Sequence, residues 1–174
     1  MATAKLRGQA EILIDAPAER VWEILENPTA IPSYMPMVEG VEVPTGQREE
    51  AGAIRTCQVN FQGRRGQVVE RCVEATPGKR LTHETVSDTI GFERMFSEFR
   101  FSFVLEEREP DATLVRLEGY YRERGPIARL MEALVLRRKF DTLRRQVLAN
   151  LKERAEAAAV GGEVAAASKP ARAS

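Results

Sequence analysis

Few side chains in this sequence of 174 residues can carry acid–base, nucleophilic or metal chemistry. It holds one histidine, His83, and two cysteines, Cys57 and Cys72. The cysteines show no zinc-like spacing, and one His with two isolated Cys is a poor ligand set, so no metal is expected. A hydrolase triad would have to use His83, and no nucleophile elbow, phosphate loop, dinucleotide loop or Cys-x-x-Cys pair is present. Both cysteines read as buried free thiols of a reducing compartment. What remains is His83 with Arg71, placed side by side by the strand register set out below. An inward Arg–His pair in an apolar surrounding suits a ligand with a carboxylate, phenolate or carbonyl group. Tyr121 and Arg55 complete a thin set for any enzyme.

The elements that position these residues are mostly strands. Phe99, Phe101, Phe103 and Leu105 alternate with Glu98, Arg100, Ser102 and Val104, the period of a strand with one apolar face. Pairing Phe103 with Val115 across the Pro110-Asp111 loop sets Leu117 opposite Phe101 and brings Tyr121 to the same face. Carried backwards, that register turns Leu81, His83 and Thr85 inward, then Val69, Arg71 and Val73, then Cys57, Val59 and Phe61. The step through Pro77-Gly78 decides everything upstream, because a slip of one residue flips it. Connections this short join antiparallel neighbours, and with strands near Ile12 and Val41 the count is seven.

Two further segments frame the strands. Ala18, Val21, Trp22 and Leu25 form one stripe of a short helix opened by Asp15 and Pro17, and a second short turn ends at Pro32 and Pro36. After Gly125-Pro126 a long helix runs without Pro or Gly to Gly161. Ile127, Leu130, Met131 and Leu134 share one of its faces, and Leu136, Phe140, Leu143, Val147 and Leu151 another. Two stripes require either a bend or change of winding near Val135–Arg138, or a partner over the second face.

The order of strand, Ala16-Pro17, Val21-Trp22, Pro32, Pro36 and then Val41-Glu42-Val43 resembles the START-like superfamily, also called SRPBCC or Bet v 1-like, and within it the polyketide cyclase/dehydrase branch. The resemblance covers about residues 9–158. It implies an α+β helix-grip fold: a seven-stranded curved antiparallel sheet around a long C-terminal helix, with two short helices after the first strand and an apolar cavity between sheet and helix. It also implies a hydrophobic small-molecule ligand, such as a lipid, an isoprenoid or a polyketide-like aromatic. The alternatives are an aromatase/cyclase or dehydratase acting on a poly-β-keto chain, and an interaction module built on the basic helix. Enzyme activity is not decided by the residues, which lean against it. The expected ligand-binding residues are Tyr34, Met35, Met37, Val59, Phe61, Arg71, His83, Phe99, Phe101, Phe103, Leu117, Tyr121, Met131 and Leu134, with Tyr34, Met35 and Met37 at the mouth. No catalytic residue is assigned and no cofactor is expected.

Composition bounds the partners. A hydrophobic fraction of 43% and a charged fraction of 30% describe one soluble domain over 9–158, with an N-terminal tail at 1–8 and a disordered tail at 159–174. No apolar run approaches the roughly 20 residues of a membrane span. The N-terminus lacks the apolar core of a signal peptide, so a cytoplasmic location is expected. Bases match acids overall, and no aromatic residues interleave with the basic ones, so no nucleic-acid partner is expected. The zero net charge hides a split, because acids dominate before Gly125 and bases dominate from there to Ala158. The basic helix is therefore where an anionic membrane surface or an acidic partner would be met, in a monomer or a homodimer.

Overall fold

The computed structural model describes residues 4–44 and 49–167, with side chains to residue 157. Seven strands form one antiparallel sheet: β1 (Lys5–Ile14), β2 (Val38–Glu42), β3 (Ile54–Phe61), β4 (Arg64–Thr76), β5 (Arg80–Asp88), β6 (Phe96–Glu109) and β7 (Ala112–Glu123). Their order is β1-β7-β6-β5-β4-β3-β2. Two short helices, α1 (Ala18–Leu25) and α2 (Ile31–Tyr34), follow β1, and a single turn, α3 (Phe92–Met95), precedes β6. The C-terminal helix comprises α4 (Gly125–Met131), a π-helical turn (Glu132–Leu136) and α5 (Arg137–Ala167). This is the expected helix-grip arrangement. Strand β1 already begins at Lys5, inside the segment read as a tail. Helix α5 continues past Ala158 to Ala167, into the segment read as disordered, and residues 168–174 lie outside the described residues.

Local chemistry explains the short elements. Pro17 enters α1 in an extended conformation, Glu19 sits in its first turn, and Val21, Trp22, Ile24 and Leu25 bury the expected stripe. Asn27 Oδ1 accepts from the Thr29 N–H at 3.1 Å and starts the 3-10 turn Pro28–Ala30. Asp88 holds the start of α3 by accepting from the backbone N–H groups of Phe92 and Glu93 at 2.9 and 2.7 Å.

The sheet curls because its strands carry bulges. Register shifts fall between Leu6 and Gly8, Val38 and Gly40, Cys72 and Glu74, and Ser97 and Arg100. Each adds local twist and bends the strand around what it covers. Helix α5 lies in the resulting hollow with Val147, Leu148, Leu151 and Ala155 buried against the sheet. Lys152 Nζ donates to the Leu13 carbonyl at 2.8 Å, and Glu156 accepts from the Asp15 N–H at 2.9 Å, which tie the helix to the end of β1.

The inward parity holds for β6 and β7, where Phe103, Leu105, Val115 and Leu117 are buried. It holds for Leu81 and His83 on β5 and for Cys57 and Val59 on β3. It fails on β4, where Val68, Glu70 and Cys72 point inward and Arg71 and Val73 outward. The cause is a bulge at Val73: Ala75 pairs with Leu81, but Cys72 pairs with His83. Parity is restored at the next hairpin. Phe61 pairs with Arg64 around a two-residue turn, Gln62-Gly63, with φ of 55° and 82°. Positive φ at both positions is the tight hairpin geometry that glycine favours at the second.

The C-terminal helix changes its winding where expected. The π turn spans Glu132–Leu136, at the switch between the two apolar stripes, and Arg137, Arg138 and Lys139 are exposed just after it. The extra residue per turn rotates the stripe, so Leu136 and Phe140 come inside while Ile127, Leu130 and Leu134 remain 78%, 59% and 66% exposed. The second stripe therefore meets the protein's own sheet and α3, and the first faces solvent.

Candidate functional site

Between the concave face and α5 lies a partly enclosed cavity of about 110 Å³. Its walls come from the α2–β2 turn (Met35, Met37, Val38), from β3 and β4 (Cys57, Val59, Val68, Glu70), from β5 and α3 (Thr85, Phe92), from β6 and β7 (Phe99, Phe101, Leu117) and from α5 (Phe140, Leu143, Arg144, Val147). Most of this lining is apolar, and Glu70, Thr85, Glu118 and Arg144 supply most of its polar groups. Met37 and Leu143 also border an open groove on the surface, formed with Pro36, Phe61, Arg138 and Lys139. These two flexible side chains thus stand between the cavity and solvent.

Six expected ligand-binding residues line the cavity: Met35, Met37, Val59, Phe99, Phe101 and Leu117. Tyr34 and Phe103 are packed core, 6.0 Å apart edge to face. Tyr121 is buried with Phe96, Phe99 and Phe140 in an aromatic cluster next to the cavity, and Phe61 stacks on Phe140. Arg71 corrects the proposed polar anchor: it lies on the outer face and pairs with Glu84 at 2.7 Å. Met131 and Leu134 face solvent on the stripe that the π turn rotates away.

His83 does point inward, but into a buried charge network rather than into the cavity. Its Nε2 lies 2.7 Å from Glu49 Oε2, and its ring stacks on Phe101 at 5.5 Å. Arg55 donates from Nη1 to Glu49 Oε1 at 2.7 Å and from Nε and Nη2 to Glu70 Oε2 at 2.8 and 2.7 Å. Burial alone would raise the Glu49 carboxyl, yet the hydrogen bond from His83 and the charge of Arg55 outweigh it and hold it below the usual carboxylate range. Burial would lower Arg55, but Glu70 and Glu49 reverse the shift and keep it charged. Burial pushes the Cys57 thiol up to about 12, helped by the neighbouring Glu70 carboxylate, so this sulfur is a poor nucleophile.

Glu49, Cys72 and His83 place ligand-type atoms within 4.8 Å of one another. Both Glu49 oxygens are engaged by Arg55 and His83, and burial raises Cys72 to about 11. A cation there would face the Arg55 guanidinium and would need a thiolate that the site disfavours. The trio fits the charge network better than it fits an ion.

The model of a protein family described as polyketide cyclase/dehydrase and lipid transport matches residues 5–156. No curated protein matches the sequence. Similar solved structures include the Zhui aromatase/cyclase from Streptomyces sp. R1128, with 16% identity, TM-score 0.68 and coverage of 86% of this chain and 92% of that one. A START superfamily protein from Mycobacterium smegmatis has 16% identity, TM-score 0.62 and coverage of 86% and 96%. A protein from Thermus thermophilus has 25% identity, TM-score 0.66 and coverage of 86% and 97%.

Proposed function

Because the chain belongs to the polyketide cyclase/dehydrase and lipid transport family, we propose that it binds and carries a hydrophobic small molecule in the cavity between the sheet and α5. The carrying observation is the cavity itself, mostly apolar and bordered by an adaptable Met37–Leu143 boundary. A dry apolar cavity of about 150 Å³ takes up a benzene-sized molecule, so at about 110 Å³ a substituted ring enters only with a shift of the adaptable Met37 and Leu143 side chains. A longer lipid or polyketide chain requires Met37 and Leu143 to move aside.

Cyclase or dehydratase chemistry has less support from the site. His83 is tied to Glu49 and is not among the lining residues, Arg71 is outside, and Glu70 is held by Arg55. General acid–base work needs a group in reach of the substrate with a free proton to give or take. The test is solvent extraction of the purified protein, together with thermal melts in isopropylbenzene. A co-purifying apolar molecule, and a melting temperature raised in the wild type but not in Leu117→Trp, are the expected results. An empty extract together with unchanged melting contradicts the proposal.

A further inference from the structure

Arg144 occupies the buried stripe of α5 and lines the cavity, with its residue only 8% exposed. The backbone is built around it. Gly8 of β1 and Gly119 of β7 pair directly across the sheet, at the register shift after Leu6. A Cβ on Gly8 would overlap the Arg144 Nη2, and one on Gly119 would come within 3.0 Å of Nη1. Two facing glycines therefore leave the floor on which the guanidinium rests.

The guanidinium is incompletely satisfied. Nη2 donates to Asp141 Oδ1 at 2.6 Å, whereas Nε is buried with no partner among the described residues. Buried donors are nearly always paired, and a charged one left alone is costly. The other charged residues of the cavity wall are carboxylates already matched within the protein, Glu70 by Arg55 and Glu118 by Arg80, Arg116 and the Tyr120 hydroxyl. An acceptor carried by a ligand in the cavity would complete Arg144. Resting on the ligand-binding reading above, we infer that the cavity takes a hydrophobic molecule ending in an acidic oxygen, a carboxylate or phenolate. Arg144 Nε donates to that oxygen, and the apolar body lies against Phe99, Phe101 and Leu117.

Benzoate and isopropylbenzene share a ring and a branched three-atom substituent, and differ in the acidic head. Calorimetric titration of both, at neutral pH, tests the inference. Benzoate should bind the wild type and lose roughly tenfold or more in Arg144→Met, while isopropylbenzene binds the two proteins alike. Asp141→Asn removes a half-exposed competitor without touching the core, and should tighten benzoate while leaving isopropylbenzene unchanged. If Arg144→Met does not fold, this second variant decides. Benzoate affinity unchanged in Asp141→Asn overturns the acidic-head assignment. So does isopropylbenzene binding where benzoate does not, and in that case the cavity reading survives. Failure of both probes removes the cavity reading as well.

Discussion

Glu49 links two buried side chains, one oxygen to Arg55 and one to His83, with all three side chains at most 3% exposed. Removing one member leaves the others unpaired in the interior, so Glu49→Gln should cost about 3–5 kcal/mol in a denaturant melt. The pH dependence follows from the lowered Glu49 carboxyl. Its contribution is complete above the unfolded carboxylate value of about 4.3 and is lost as pH falls through the lower folded value. The wild type should therefore lose stability steeply below about pH 4, and Glu49→Gln more shallowly. Neighbouring phenylalanines separate core from cavity wall. Phe103→Ala, at a site 1% exposed, should cost roughly 3–5 kcal/mol, and Phe101→Ala clearly less because its ring already borders empty space. Much at this scale was readable from sequence, since strict alternation in β6 and β7 leaves one apolar face. The position of Arg144 was readable too: it falls four residues after Phe140 and three before Val147, on the same helical face. Its charge made it look like a surface residue, and the cradle of Gly8 and Gly119 comes from strands far apart in sequence.

At the scale of elements, β4 shows where pattern reading runs out. Val68 and Cys72 are as apolar as Val69 and Val73, so both phases of the strand look alike, and only the bulge at Val73 chooses between them. The choice turned Glu70 inward and Arg71 outward, which exchanged the expected cationic anchor for a carboxylate. Phe61 pairs with Arg64 around the two-residue Gln62-Gly63 turn, and this second offset restored β3 to its expected face. The two stripes of the C-terminal helix were legible, and altered winding between them was one of the two readings they allowed, a partner over the second face being the other. Which stripe stays outside was not legible, because it depends on the sense of the π turn. The consequence is measurable: polar replacements of Ile127, Leu130 and Leu134 should change stability by no more than about 0.5 kcal/mol each. Leu136→Ala, at the last residue of the turn and 7% exposed, should cost about 2–5 kcal/mol.

At the scale of the whole molecule, a curled sheet and a single helix enclose more volume than their side chains fill. The remainder is a mostly apolar space with an adaptable boundary at Met37 and Leu143. Its charged groups divide by role. The Glu49–Arg55–Glu70–His83 network braces β3, β4 and β5, and Arg144 is left with a donor to give. Methionine methyl NMR tests the central claim directly, because Met35 and Met37 line the cavity and Met131 lies on the exposed stripe of α4. Titration with isopropylbenzene should shift the Met35 and Met37 methyl resonances saturably and leave Met131 in place. Shifts confined to Met131, or none at Met35 and Met37, would contradict the assignment of this cavity as the binding site.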